Sequence, residues 1–435
     1  MRETKIDKKI IIFAIIGYAI LLFLVQLQYP MGAINEEPIR YKIPYFIFEN
    51  RRLPTAWDMS TYDHNIWALT YANSADGSFI IEAIFMKFFS LMGVGNAHLF
   101  IVARGVNICF GCIFVYLLFK IADELFASNK NKYVFVAIAS LWNWVAYAFQ
   151  FICFEGLMLV GVALVILFIL KGINSKWDYK SCIGLGIGNG LILIGYLDGV
   201  GFCLVSAIAF LSTYIICIKE KGKYLDMIKK GFLILIEAFI LSGWFYIRNI
   251  VLYGSVMGKQ FPLKEWVREE LTSENRAIVA REKMFQIKGF FLWVKGQIVS
   301  FCGKSVNVNN KLFSMFFVLL SIIVLTLLVL GIIKVFKKEW KEYTNGIKIF
   351  TICMILGIIF TVALDWYYNA FVDYIPNYGR YLIPMTISLV YFLVKGLELI
   401  EEKTKIKVVT KGWPLIIVFM LGIYLITYCY LCKIQ

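Results

Sequence analysis

Two adjacent glutamates, Glu36 and Glu37, follow the first long apolar run of the chain. A carboxylate that is partly shielded from water can accept the proton of a hydroxyl group while that hydroxyl attacks an electrophile. The pair is therefore a candidate general base beside the expected membrane surface. A solvated acidic turn is the alternative interpretation of an isolated Glu-Glu pair, and Asp58 is the next candidate base in the same segment.

Two arginines stand in short aromatic motifs far along the chain. Arg248 lies in the segment 243–254, which begins Gly-Trp-Phe-Tyr-Ile-Arg-Asn, and Arg380 lies in the segment 377–384, which reads Asn-Tyr-Gly-Arg-Tyr-Leu-Ile-Pro. The planar fork of an arginine suits the binding of a phosphate group. An arginine at the end of a membrane helix can also extend its charge to the lipid headgroups, and both interpretations are open.

Three ionisable residues, Arg104, Glu155 and Glu237, fall inside apolar runs. Charged groups are costly in hydrocarbon, so each is a functional candidate by default. Arg104 and Glu155 lie near the ends of their runs that face the same side as Glu36, and we expect them to pair in a structural role. Glu237 is deeper and has no evident partner.

The composition determines which elements position these residues. Of 435 residues, 60% are hydrophobic and 17% are charged, against roughly 25% charged in an average soluble protein. The apolar residues form runs of roughly 17–22 residues, each able to cross about 30 Å of hydrocarbon. We predict an all-α polytopic membrane protein, a single domain over 1–435, with eleven spans. They lie near 10–28, 99–119, 133–149, 152–170, 183–197, 200–218, 231–249, 312–333, 349–365, 380–397 and 413–431.

Positive charge predicts the orientation. Lysines cluster at one set of span ends and are absent from the short connections near 150, 198 and 366–379, which places the N-terminus in the cytoplasm and the C-terminus outside. Anionic headgroups account for the net charge of +15, so we expect membrane lipids and no nucleic acid as partners. Abundant Lys, Ile, Phe and Asn, with no Asn-x-Ser/Thr in the outer loops, favour a bacterial plasma membrane. Soluble enzymes, secreted disulfide scaffolds, disordered proteins and DNA-binding domains are excluded.

Two long outer segments, 29–98 and 250–311, hold most of the polar residues. The run 78–93 is too short and too charged for a span, and we predict an interfacial helix there. Both segments face away from ATP, and the chain has no nucleotide-binding loop, so any chemistry must use another activated substrate. Two histidines without a His-Cys cluster predict no structural zinc site.

The segments 30–125, 242–258 and 377–398 together resemble the bacterial GT-C superfamily of integral-membrane glycosyltransferases, the relatives of protein O-mannosyltransferases and of the aminoarabinose transferase that modifies lipid A. Gly-Trp-Phe-Tyr-Ile-Arg-Asn-x-x-x-Tyr-Gly and Gly-Arg-Tyr-Leu-x-Pro are the most specific parts. Glu36 matches the family's aspartate and Glu37 its following glutamate. Arg40 stands where the branch usually has histidine, and 75–78 stand where a Pro-Pro pair is common, departures that leave open an altered acceptor or a loss of activity.

The resemblance implies a GT-C-like helix bundle and a polyprenyl-phosphate sugar as donor. Glu36 or Glu37 would deprotonate an acceptor hydroxyl of a glycolipid, wall polymer or protein, in one inverting displacement on the outer face. The implied donor-phosphate residues are Arg248, Arg380, Lys295 and Lys304, and those implied for the acceptor or for support are Arg40, Asp58, Arg104, Asn249 and Tyr381. No cofactor is implied. A divalent cation held by the two glutamates is compatible with the sequence, although no ligand spacing requires one.

Two other classes of protein stay open at this point. A lipid-linked oligosaccharide polymerase or ligase also has many spans, but its large outer loop usually lies late in the chain. A flippase or transporter of lipid-linked sugars would not need outer carboxylates beside an anchor helix. The long first outer segment, 29–98, favours the transferase.

Overall fold

The fold is seen in a computed structural model, which describes residues 6–33, 36–62, 70–72, 74, 77–218, 223–256, 273–303, 311–376, 378–404 and 406–430. These residues form sixteen α-helices and no strand. The helices are α1 (Lys8–Gln26), α2 (Glu37–Asn50), α3 (Gly77–Leu91), α4 (Leu99–Leu125), α5 (Asn129–Ser140), α6 (Asn143–Gln150), α7 (Glu155–Ser175), α8 (Tyr179–Gly195), α9 (Val200–Ile216), α10 (Lys223–Tyr253), α11 (Ser273–Met284), α12 (Ile287–Phe301), α13 (Lys311–Ile333), α14 (Asn345–Phe371), α15 (Thr386–Thr404) and α16 (Trp413–Leu425).

Within the described residues, eight helices are long and apolar enough to cross a membrane. They contain α1, α4, α7, α9, α10, α13, α14 and α15, and the shorter apolar helices α8 and α16 add two further candidates. The prediction of an all-α polytopic membrane protein is confirmed. The number of eleven crossings is not, since eight helices meet the length criterion.

The predicted span 133–149 is not one continuous helix in the structure. It consists of α5 and α6, which are separated at Leu141 and Trp142 because Trp142 leaves the helical conformation, with ψ 127°. The indole N–H of Trp142 donates to the carbonyl of Phe301 at 2.8 Å, and that of Trp144 donates to the carbonyl of Ser300 at 2.7 Å. At this break, two tryptophans therefore form hydrogen bonds with the end of α12.

Glycines in α8 allow three helices to pack closely. A side chain at Gly188 would meet the backbone of α7, with a Cβ 3.0 Å from the nitrogen of Val165. A side chain at Gly186 would meet α10, with a Cβ 2.8 Å from the carbonyl oxygen of Ile234. Small residues at helix interfaces let membrane helices approach within van der Waals contact of their backbones. Helix α7, which begins at the functional site, is held in this way.

Two helices from the first outer segment pack on the bundle. Helix α3 buries Phe79 and Met86 against α4 and exposes Ile84, Phe85 and Phe88. An apolar outer face suits the edge of a bilayer, and the interfacial location of this helix stays a prediction. Helix α2 packs on α3; Glu37 is its first residue, and Glu36 directly precedes it.

Candidate active site

Glu36 directly precedes α2 with its backbone in the left-handed region, at φ 68° and ψ −21°. This conformation is uncommon for a residue other than glycine and often occurs at functional sites. Pro38 lies in the first turn of α2, where its fixed φ favours helix initiation. Because Glu36 lies outside the helix and Glu37 inside it, the two adjacent carboxylates contact different arginines.

The Glu36 carboxylate has four donors around it. Arg40 Nη2 lies 2.5 Å from Glu36 Oε2, Arg380 Nη1 lies 3.2 Å from the same oxygen, and the hydroxyl of Tyr71 donates to it at 3.3 Å. The hydroxyl of Tyr378 donates to Oε1 at 3.1 Å. The Glu36 side chain is still 29% exposed, so these donors do not enclose it completely.

A second carboxylate, that of Glu155 at the start of α7, contacts the same two arginines. Its Oε1 lies 3.0 Å from Arg380 Nε, and its Oε2 lies 3.8 Å from Arg40 Nη1. Two arginines thus alternate with two glutamates, and their charges balance. We call these residues the Glu36 cluster: Glu36, Arg40, Tyr71, Glu155, Tyr378 and Arg380.

Aromatic rings hold the two guanidinium groups. Arg40 lies over the ring of Phe154 at 4.9 Å from the centroid, and Arg380 lies over the ring of Tyr378 at 4.6 Å. Arg40 also donates to Cys153 Sγ at 2.9 Å. Stacking on aromatic faces stabilises a buried cation. The arginines are therefore fixed without help from a substrate.

Helix α12 determines where Arg380 lies. The N–H of Gly379 donates to Ser300 Oγ at 2.7 Å. A Cβ on Gly379 would lie 2.2 Å from the backbone nitrogen of Phe301, so no side chain fits at this position. This contact holds the segment Gly379–Met385, which contains Arg380, against the end of α12.

The electrostatics favour an ionised Glu36. Burial alone would raise the pKa of its carboxyl, but the charges of Arg380 and Arg40 and the hydrogen bond from Tyr378 lower that pKa from 4.5 to about 2. For the neighbouring phenol burial dominates, and it raises the pKa of Tyr71 to about 12. At neutral pH the cluster presents a carboxylate together with a neutral tyrosine donor.

Glu37 is fully buried in a separate ion pair with Arg104. Arg104 Nε donates to Glu37 Oε1 at 2.8 Å and Nη2 donates to Oε2 at 2.6 Å, while Nη1 donates to the carbonyl of Tyr29 at 2.7 Å. Arg104 therefore connects α4 to the start of α2 and to the segment after α1. The predicted pairing of Arg104 with Glu155 is wrong, because Glu37 occupies the guanidinium of Arg104 and Glu155 contacts Arg380 and Arg40.

Arg248 and Asn249 lie near the end of α10. Among the described residues, no contact connects them to the Glu36 cluster. Arg248 Nη2 donates to the carbonyl of Pro54 at 2.5 Å, and its Nη1 has no hydrogen-bond partner among the described residues. Asn249 is buried and donates to the carbonyl of Val256 at 3.3 Å. Arg248 thus joins the first outer segment to α10, and no described residue binds its Nη1.

Asp58 also belongs to a local interaction in the first outer segment. It accepts from both terminal nitrogens of Arg52, at 2.9 and 2.5 Å, and from the backbone N–H of Thr55 at 2.7 Å. The hydrogen bond from Arg52 lowers the pKa of the Asp58 carboxyl. These contacts make Asp58 part of a turn.

The remaining predicted residues are dispersed. Tyr381 is half-buried beside the cluster, with its ring 5.2 Å from the ring of Tyr378. Lys295 is exposed on α12, away from the side of that helix that holds Gly379. Lys304 lies outside the described residues. Of the predicted set, Arg40 and Arg380 both contact Glu36, and Arg104 contacts Glu37.

Sequence reasoning missed three members of the site. Tyr378 occurs in the motif around Arg380 and could have been found from its position two residues before that arginine. Glu155 was recognised as an unusual charge in an apolar run but was given the wrong partner. Tyr71 has no sequence signal. No group of three or more His, Cys, Asp or Glu residues that could hold a metal ion occurs in the described part of the chain.

The comparisons with known proteins concern the fold. No protein-family model matches the sequence, and no curated protein matches it. ArnT from Cupriavidus metallidurans bound to undecaprenyl phosphate is similar at a TM-score of 0.54 and 12% identity, over 98% of this chain and 77% of ArnT.

Two further solved structures have TM-scores below 0.5. They are ArnT of the same organism in the apo state (0.41, 10% identity, 90% of this chain, 77% of that chain) and an Archaeoglobus fulgidus oligosaccharyltransferase (0.44, 15% identity, 95% and 52%). The similarity to ArnT supports the fold assignment, and the chain therefore shares the fold of ArnT, in agreement with the GT-C-like helix bundle predicted from the sequence.

Proposed function

We propose that the protein is a glycosyltransferase that moves a sugar from a polyprenyl-phosphate donor to an acceptor hydroxyl on the outer face of a bacterial plasma membrane. The observation that carries this proposal is Glu36, an ionised carboxylate that is 29% exposed among two buried arginines and two half-buried tyrosines. The structure of ArnT that is similar in fold contains undecaprenyl phosphate, which supports a lipid phosphate as part of the donor.

The reaction proceeds as a single displacement. Glu36 accepts the proton of the acceptor hydroxyl, and the hydroxyl oxygen attacks the anomeric carbon of the donor sugar. The bond between that carbon and the phosphate oxygen breaks, and the lipid phosphate leaves with the electron pair. Attack opposite to the leaving group inverts the anomeric configuration. Positive groups fixed near the leaving oxygen stabilise the charge that develops there.

Arg380 links donor binding to the strength of the base. Without substrate, its Nη1 lies 3.2 Å from Glu36 Oε2, and this charge helps to hold the pKa of Glu36 at about 2. A carboxylate with such a low pKa is a weak proton acceptor. A donor phosphate that binds Arg380 neutralises part of its charge, so the pKa of Glu36 rises and the carboxylate becomes a stronger base when the donor is present.

Other residues take supporting roles in this proposal. Arg248, whose Nη1 is not bound by any described residue, is the second candidate for the donor phosphate, and exposed Lys295 is a weaker one. Glu37 maintains the fold through its ion pair with Arg104. Because that pair occupies Glu37, the two glutamates do not converge on a shared cation position, and the proposed mechanism uses no metal. The acceptor is a glycolipid, a wall polymer or a protein.

Sugar transfer by the purified protein tests this proposal. The protein, in nanodiscs, would be incubated with a radiolabelled polyprenyl-phosphate hexose and with extracted envelope acceptors. The Glu36→Gln variant should lose roughly 10²–10⁴-fold in turnover, because the amide cannot accept the proton. Glu49→Gln is the matched control, since Glu49 lies on the same helix and is exposed. Equal rates for the parent and Glu36→Gln would contradict the proposed base.

A further inference from the structure

The connection after α14 leads directly to two members of the Glu36 cluster, Tyr378 and Arg380. It lies outside the helices, so its backbone groups need other partners. Both polar backbone groups of Ile375 are bound by side chains. The N–H of Ile375 donates to Asn369 Oδ1 at 2.8 Å, and its carbonyl accepts from Gln297 Nε2 at 3.1 Å.

A buried carboxyl, Asp365, orients these two amides. Its Oδ1 accepts from Asn369 Nδ2 at 3.1 Å and from Gln297 Nε2 at 3.4 Å, while its Oδ2 accepts from the indole N–H of Trp293 at 3.0 Å. Asp365, Asn369 and Gln297 are 3%, 0% and 2% exposed. Asn369 is held at both ends of its amide, and Gln297 is held by two hydrogen bonds from its Nε2. The three side chains thus form a fixed set, and no contact in the described structure joins Asp365 to Glu36.

Helix α12 binds the connection at the carbonyl of Gly289, which accepts from the hydroxyl of Tyr374 at 2.7 Å, and at two points closer to Tyr378. Gln297 holds Ile375, three residues before Tyr378, and Ser300, on the next turn of the same helix, holds Gly379 directly after Tyr378. Tyr378 lies between these two anchors and donates to Glu36. The position of the Tyr378 hydroxyl therefore depends on α12 and α14, although neither helix contains a member of the Glu36 cluster.

We propose that Gln297, Asn369 and Asp365 are positioning residues that fix Ile375 and thereby hold Tyr378 and Arg380 against Glu36. The catalytic part of this inference rests on the proposed function, whereas the positional part does not. If Ile375 is released, the connection moves, and Glu36 loses a hydrogen bond and a nearby cation. The other groups that face Glu36, Arg40 and Tyr71, remain in place because they belong to other elements.

Hydrogen exchange measured by mass spectrometry on the full-length protein tests the positional part. The Gln297→Met variant keeps the side-chain length and removes both amide hydrogen bonds, and Gln286→Met is the matched control at the exposed start of α12. Peptides covering 372–382 should exchange about tenfold faster in Gln297→Met, which corresponds to the loss of one buried hydrogen bond. Asn369→Ala should give the same result from the other helix. Unchanged exchange in both folded variants would overturn the inference.

The acid limb of the pH–rate profile tests the catalytic part. A positional shift of Tyr378 and Arg380 raises the pKa of Glu36, so kcat/KM of Gln297→Met should begin to fall at a higher pH than in the parent and in Gln286→Met. A purely structural role would lower the amount of active protein and leave the profile in place. Faster exchange with an unchanged pH profile would overturn the role in positioning the base. If even the parent shows no transfer, the proposed function fails, and the exchange data alone decide the positional inference.

Discussion

Replacing Arg380 with glutamine should change the pH at which the proposed base loses its charge. The guanidinium lies 3.2 Å from Glu36 and 3.0 Å from Glu155. The pKa of Glu36 is about 2 against an ordinary value of 4.5, in spite of burial, which raises it. At 1.36 kcal/mol for each pKa unit, this difference favours the ionised form by on the order of 3 kcal/mol, shared between Arg380, Arg40 and Tyr378.

Removing the largest favourable charge leaves burial in place, so the pKa of Glu36 should rise towards its ordinary value of 4.5. The base works when ionised, and activity falls as the pH drops through its pKa. The parent kcat/KM should therefore stay constant from about pH 7 to about pH 4, whereas the residual activity of Arg380→Gln should fall below about pH 5. Turnover at neutral pH should also fall by roughly ten- to hundredfold through the loss of a phosphate contact.

The assay is initial-rate sugar transfer over this pH range at subsaturating donor. Arg52→Gln is the control, because it removes an arginine from the ion pair with Asp58 and does not touch the Glu36 cluster. A residual activity of Arg380→Gln that is constant between pH 4 and pH 7 would show that Arg380 does not control the charge of the base. The electrostatic reasoning would then be refuted.

Three further predictions concern stability, the donor and the orientation. Glu37→Gln should lower the free energy of unfolding by about 3–5 kcal/mol, because it leaves the buried charge of Arg104 unpaired. In the same unfolding assay, the double variant with Arg104→Gln should recover part of this loss. Arg248→Lys should lower turnover by roughly ten- to hundredfold, because one ammonium cannot both bind the Pro54 carbonyl and clamp a phosphate; donor kinetics within about twofold of the parent would remove Arg248 from the site. A cysteine at position 74 should react with an impermeant maleimide in intact cells, and a cysteine at position 175 should not. Labelling at position 175 would show that the predicted orientation is wrong.

The helices could be predicted from the sequence because apolar runs of sufficient length determine them. Each predicted span corresponds to a helix in the structure, except that 133–149 is divided at Trp142. The local signal for this break is weak, since the run is apolar apart from Ser140 and Asn143. The break depends on hydrogen bonds from Trp142 and Trp144 to carbonyls some 150 residues away in the chain, and such contacts are absent from any sequence window.

The site was predicted in part. Glu36 and Arg380 were both identified, but their contact depends on the packing of α12, α14 and the first outer segment. The division of roles between Glu36 and Glu37 depends on one backbone conformation, the positive φ at Glu36, which the sequence does not specify. The Asp365 set was not recognised, because a carboxylate at the end of an apolar run gives no indication of its partners.

The central claim is that Glu36 acts in catalysis and its neighbour Glu37 maintains the fold. The most direct test is turnover per folded molecule for Glu36→Gln and Glu37→Gln, with the folded fraction of each measured by size-exclusion chromatography and thermal unfolding. We predict that folded Glu36→Gln is nearly inactive, whereas Glu37→Gln has a reduced folded fraction and close to parental turnover for the molecules that fold. Parental turnover in folded Glu36→Gln, or its loss in folded Glu37→Gln alone, would contradict the account.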